Sequence, residues 1–254
     1  MWLVLCDPED QAALWAYSGL RKRGLAPIEL VAPRTLTRSA RSAHRVDDDR
    51  ATFEIGLPDG RTLASGDIDG VLNRLSYAPV DHLLFASPAD TSYAMEEMSA
   101  LLLSWLSCIA PLTVNRPSPR GLSGAWRSPA EWTVLAAGAG LPVSSLALSS
   151  TPRADARVEG LREPPHEPEG TPAHTVLVLG EQVFGGERVR ELVPACRRLA
   201  RLADADLLGI DLELRDRGEA RFAGATPLPD LRVGGDTLLE SLHEHLTRLP
   251  ARPR

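Results

Sequence analysis

Short apolar runs alternating with helical stretches constrain this chain more than any other feature of it. The runs WLVLC (2–6), PIELVA (27–32), GVLNRL (70–75) and LTVNRP (112–117) are each long enough for one buried strand. Between the first two, Asp7 is a candidate cap for a helix with Pro8 at its first position, running to Gly24. Before the fourth run, SYAMEEMSALLLSWLSCI (92–109) places Met95, Met98, Leu102, Trp105 and Leu106 close to a 3.6-residue period. Strand–helix alternation of this kind predicts an open α/β sheet with helices on its faces. Ligands of such sheets sit beyond the carboxyl ends of the strands. That singles out Asn73, Arg74, Asn115 and Arg116. An arginine there suits bidentate capture of a carboxylate or phosphate, but the same residues serve equally well as loop caps and interface hydrogen-bonders.

The rest of the chain has a different pattern. Residues 36–50 are polar and read as a loop, whereas ATFEIGLPDGRTLASGD (51–67) reads as a hairpin turning at PDG. SPAEWTVLAAGAGLP (128–142) is the clearest helix: Ser128 caps it, Glu131 completes a capping box and Gly140 stops it. LPVSSLAL (141–148) then reads as the start of a strand. The stretch 150–173 has five prolines and eight charged residues with no apolar face, and reads as a linker. HTVLVLGEQVFGG (174–186) is a strand pair. RVRELVPACRRLARLA (188–203) is amphipathic, with Pro194 kinking it or delaying its start. DLLGIDLEL and ARFAGATPL are paired strands, and DTLLESLHEHLTRL closes the chain as a helix capped by Asp236. The sequence shows no internal repeat. The predicted class is α/β: an N-terminal open sheet, then a smaller α+β module with antiparallel strands. The expected organisation is an α/β domain at 1–118, a linking helix and strand at 119–149, the linker at 150–173 and a C-terminal module at 174–254.

Charge and cysteines narrow the partners. A net charge of −6 and scattered basic residues, with only the modest run RSARSAHR (38–45), point to neither nucleic acid nor a membrane surface. The N-terminus turns acidic too early for a signal peptide, and LLLSWLSCIAPL falls short of the ~20 residues a bilayer requires. Cys6, Cys108 and Cys196 stand far apart in apolar contexts and read as small buried hydrophobes in a reducing compartment, so a cytoplasmic location is expected. Although Lys and Arg total 28, the only lysine is Lys22. A mechanism needing two or three lysines is excluded.

The order of these elements, with NRPSPRGLSGAWRSPAEWTVLAAGAGLPV, VLVLGEQVFGG and CRRLARLADADLLGIDLELRDRGEARFAGATPLPDL, resembles the ATP-grasp superfamily. The resemblance is to its carboxylate–amine ligase branch, with the glutathione synthetases and graspetide maturases. It implies a preATP-grasp domain followed by a reduced grasp module. The chain departs from the family where the chemistry lies. A proline-rich stretch stands in place of the lysine-bearing lid, and Arg127 and Ser128 occupy the start of the SPAEW helix where a lysine is usual. The acid on the GID strand is present as Asp211, but the Glu-x-Asn expected twelve and fourteen residues later is Ala223 and Ala225. Magnesium needs oxygen ligands that alanine cannot supply.

The resemblance therefore implies a catalytically degenerate scaffold acting as a binding or accessory module beside an intact ligase. Neither ATP nor Mg²⁺ is expected, and no catalytic residue is assigned. The alternatives are an atypical ligase, with a pocket lined by Asn73, Arg74, Arg116, Asp211 and Arg221, and a structural subunit that forms oligomers through LLLSWLSCIAPL or the tryptophans. Asp211 and Glu213 face one side of a strand and would hold a cation or pair with arginines such as Arg221. Trp126 and Trp132 would stack on a ligand or a partner, although such tryptophans more often read as half-buried packing. His243 and His245 lie two apart on a helix and point away from each other.

Overall fold

A computed structural model describes residues 1–48, 51–80, 87–145, 173–214 and 219–249. Strand β1 (Trp2–Leu5) lies in a parallel sheet between β2 (Ile28–Val31) and β6 (Gly70–Asn73), with the two-residue β7 (Thr113–Val114) beyond β6. Helix α1 (Gln11–Lys22) links β1 to β2 and buries Ala12, Ala13, Ala16 and Leu20. Its cap is Asp10, whose Oδ1 accepts from Ala13 N at 2.9 Å, and not Asp7. The Asp7 carbonyl instead accepts from Asp10 N and closes a turn around Pro8, which delays the helix by one turn.

The segment expected as a loop begins inside a short helix, α2 (Pro33–Thr37), and contains a strand, β3 (Arg41–Val46). Strand β3 pairs antiparallel with β4 (Ala51–Gly56), which pairs with β5 (Thr62–Ala64) through the expected turn at Leu57–Gly60. Every residue of β3 is exposed. Its ladder is made by backbone groups, so no apolar alternation marks it in sequence. Phe53, Ile55 and Leu63 pack inward against helix α3 (Pro88–Cys108), which buries Leu102, Trp105 and Leu106. That helix starts earlier than the apolar period indicates, capped by Ser87, and Met95 lies 47% exposed on its outer face.

The second sheet is antiparallel, in the order β11–β10–β8–β9, where β8 is Ala173–Leu179, β9 Gln182–Phe184, β10 Leu207–Leu214 and β11 Ala220–Thr226. One face buries Val176, Val178, Leu208, Ile210 and Leu212 beneath helices α4 (Pro129–Ala139) and α5 (Val193–Leu202). Pro194 sits in the first turn of α5, after a tight turn over Glu187–Leu192, and so delays the helix. The other face supplies Leu177, Leu179 and Leu207 to a core shared with Val4, Leu72 and Val114 of the parallel sheet, α1 and helix α6 (Gly235–Arg248). A single hydrophobic cluster thus joins the two sheets. Helix α6 begins without a side-chain cap; Asp236 lies in its first turn and pairs with Arg23 at 2.8 Å. Residues 141–145 lie in no strand, although the Pro142 carbonyl accepts from Phe222 N at 2.8 Å. The remainder of that expected strand and nearly all of 150–173 fall outside the described residues. Among the described residues no helix is long and apolar enough to cross a membrane.

Candidate functional site

The carboxyl end of the parallel sheet carries three buried polar side chains, two of which reach the antiparallel module. Asn73, 1% exposed, donates from Nδ2 to the Leu122 carbonyl at 2.7 Å and accepts from Leu75 N at 3.2 Å. Arg74 brackets the Asp10 carboxylate, with Nε to Oδ2 at 2.6 Å and Nη2 to Oδ1 at 3.3 Å. Its Nη1 donates to the Pro229 carbonyl at 3.0 Å. Asn115 adopts φ 58°, a left-handed conformation that asparagine tolerates. Its Nδ2 donates to the carbonyls of Leu207 and Pro227, and its Oδ1 accepts from Leu207 N. Arg74 and Asn115 clasp the two layers, Asn73 ties the strand end to the 115–122 loop, and all three direct their hydrogen bonds to the protein's own backbone and to Asp10. Arg116, next in the chain, is exposed.

On the antiparallel sheet Asp211 accepts a hydrogen bond from Thr175 Oγ1 at 2.7 Å, and Glu213 is the cross-strand partner of Arg221. A bulge between Asp211 and Leu212 sets the register opposite them: Asp211 faces Gly224 and Ile210 faces Ala225, leaving Ala223 as the extra residue. Ala225 therefore lies on the side of Ile210 and packs against the core beneath α4, away from Asp211. Thr226 carries the only side-chain oxygen on β11, and its Oγ1 accepts from Leu228 N at 3.1 Å. Paired magnesium ions under a polyphosphate need several carboxylate or amide oxygens. The donor set around Asp211 does not fit them. Among the described residues no three His, Cys, Asp or Glu side chains converge as a metal site.

The cavity nearest the sheet ends encloses about 260 Å³ and is lined by Ser76, Trp126, Arg127, Trp132, Ala225 and Leu228, with neighbours in the 121–125 loop. Asn73, Arg74, Arg116, Asp211 and Arg221 are not among its lining residues. It opens on the α4 side of the sheet, whereas Asp211 points the other way. Trp126 is 67% exposed at its rim; Trp132 is buried and carries the Arg127 guanidinium 5.3 Å from its ring centroid. Ser76 and Leu228 escaped the sequence reading because nothing local marks a residue that another loop will meet.

The α4 N-terminus that borders this cavity has the expected capping box. Ser128 Oγ accepts from Glu131 N at 3.3 Å, and Glu131 Oε2 accepts from Ser128 N at 2.8 Å. Arg120 Nη2 donates to both oxygens of Glu131. The Ser128 backbone N–H, and then Arg120, hold the Glu131 carboxyl down to about 2, against an ordinary 4.5. A depressed carboxylate stabilises the fold above its ordinary range, and that contribution fades as pH falls from about 4.5 through about 2. A carboxyl-carbon NMR titration is expected to place the Glu131 midpoint near 2, and Ser128→Ala is expected to cost about 1 kcal/mol in urea unfolding.

No family model matches the sequence, and no curated protein does. Solved structures do match the fold. Macrocyclase MdnC bound with precursor peptide MdnA, from Microcystis aeruginosa MRC, superposes with TM-score 0.70 at 10% identity over 98% of this chain and 100% of that one. The ATP-grasp ligase PsnB complexed with minimal precursor, Mg and ADP gives 0.66 at 18% identity over 96% of each chain. A Chryseobacterium gregarium RiPP-associated ATP-grasp ligase in complex with ADP and a leader and core peptide gives 0.64 at 12%, again over 96% of each. The chain has the ATP-grasp fold.

Proposed function

We propose that this chain uses an ATP-grasp scaffold as a binding or accessory module in peptide tailoring, beside an intact ligase and without ligase chemistry of its own. The observation that carries this reading is the donor set facing Asp211: Gly224 opposite, a bulged Ala223 and an Arg221–Glu213 pair, where a ligase of this fold needs oxygen ligands. The single lysine, Lys22, lies on α1, leaving arginines as the cations available for phosphate. The tailoring context is supported by the three similar structures, each named as a ligase or macrocyclase in complex with a peptide or a precursor.

Two alternatives stand beside this reading. An atypical ligase would use a pocket lined by Asn73, Arg74, Arg116, Asp211 and Arg221, but the first two are committed to hydrogen bonds within the chain and none of the five lines the neighbouring cavity. A structural subunit using LLLSWLSCIAPL would need Leu102, Trp105, Leu106 and Ile109 at the surface, and all four are buried in the chain's own core; its other route, through the tryptophans, keeps the exposed Trp126 and is tested by light scattering. The contact surface for a partner is instead the rim of the cavity around Trp126 and Arg127. Calorimetric titration with ATP, with and without Mg²⁺, tests the proposal. A featureless titration and no phosphate release are expected. Saturable Mg-ATP hydrolysis abolished by Asp211→Ala would overturn it.

A further inference from the structure

A cluster of nucleophilic and titratable side chains lies apart from the sheet ends and the cavity. His44, on the exposed strand β3, reaches the last turn of α3. Its Nδ1 is 3.0 Å from Ser104 Oγ and its Nε2 is 3.6 Å from Cys108 Sγ. Ser104 and Cys108 are four residues apart on one helix and so share a face. The ring packs on Phe53 with centroids 5.0 Å apart, which keeps it turned toward the thiol. Nucleophile, base and a hydroxyl that orients the base are the three parts that activate a thiol.

The other two cysteines lack these features. Cys6 and Cys196 are 1% and 0% exposed, and burial pushes both thiols up to about 11. Cys108 keeps 8% of its surface accessible, beneath an exposed imidazole. Cys108 is also the last residue of α3, where the helix dipole opposes a bare thiolate and favours a cation. Handing the proton to an adjacent imidazole there is easier than releasing it to water, because the imidazolium gains from the field that the thiolate loses to.

We propose that Cys108 is a covalent modification site for soft carbon electrophiles, its thiol deprotonated by His44. In the tautomer with the proton on Nδ1, that N–H donates to Ser104 Oγ and leaves Nε2 to take the Sγ proton, drawing it from the Ser104 carbonyl that accepts it at 3.3 Å. The sulfur pair then forms a C–S bond at the electrophilic carbon. With an α,β-unsaturated carbonyl, the displaced π pair collects the proton from the imidazolium at the α-carbon, and no co-reactant is needed. The Ile109 amide beside the thiol is engaged by the Leu106 carbonyl at 3.1 Å and does not serve as an oxyanion donor, so the pair captures an electrophile and does not turn over an ester.

The test is peptide-mapped alkylation of the full native chain with iodoacetamide at neutral pH. In that reaction the C–I bond breaks as the C–S bond forms, iodide leaves with the electron pair, and the imidazolium returns its proton to water. Cys108 is expected to be labelled on the order of tenfold or more faster than Cys6 and Cys196, and His44→Gln to slow it by a similar factor. A packing role for His44 predicts the opposite sign, since truncating a covering side chain uncovers the thiol. Equal rates at the three cysteines, or an unchanged or faster rate at Cys108 in His44→Gln, would overturn the proposal. If His44→Gln also exposes Cys6, Ser104→Ala is read in its place: slowed labelling of Cys108 supports the proposal, and an unchanged or faster rate overturns it.

Discussion

Arg74→Met is expected to lower the unfolding free energy by about 3–5 kcal/mol, the cost of removing one partner from a largely buried ion pair. The Arg74 and Asp10 side chains are 5% and 19% exposed, so the stranded carboxylate has little water to turn to. The Pro229 carbonyl loses its donor in the same substitution. The double variant Arg74→Met/Asp10→Asn is expected to recover part of the loss. Asparagine still caps α1 through Ala13 N, but it carries no charge. Urea denaturation with an unchanged m-value checks both, and a loss under about 1 kcal/mol in the single variant would mean that the pair is solvated in solution.

Asn115→Ala is expected to cost about 4 kcal/mol or more, by a different route. Its amide satisfies the N–H and C=O of Leu207 and the C=O of Pro227, and each buried group left without a partner costs about 1–3 kcal/mol. Alanine at φ 58° adds roughly 1–2 kcal/mol of backbone strain. Asn115→Gly separates the two contributions: it loses the same hydrogen bonds without that strain, and is expected to fall short of the alanine variant by about the strain alone. Equal losses in the two variants would assign the whole effect to the hydrogen bonds.

These two residues show how far the sequence could be read. Asn73, Arg74 and Asn115 stand out because strand ends are where open α/β sheets place polar groups, and the structure puts them there. Which way they point was open between a ligand and the protein itself. Residues far off in the chain answer that: Leu207 lies 92 positions from Asn115, and Pro229 lies 155 from Arg74. The contact of His44 with Cys108 spans 64 positions and follows from β3, a strand whose six exposed residues give it no apolar signature.

The sequence by itself determined the parts whose causes lie within a few residues. The capping box of α4, the β8–β9 hairpin and the lack of carboxylate or amide oxygens along Ala220–Thr226 are all of this kind. Caps, turn residues and the side-chain inventory of a strand act locally, and the single lysine needs only counting. Tertiary structure alone decided the bulge that turns Ala225 away from Asp211, the inward aim of the sheet-end side chains and the cavity between Ser76 and Leu228. Each depends on how two distant segments pack, and burial gives a side chain its direction only once its neighbours are in place.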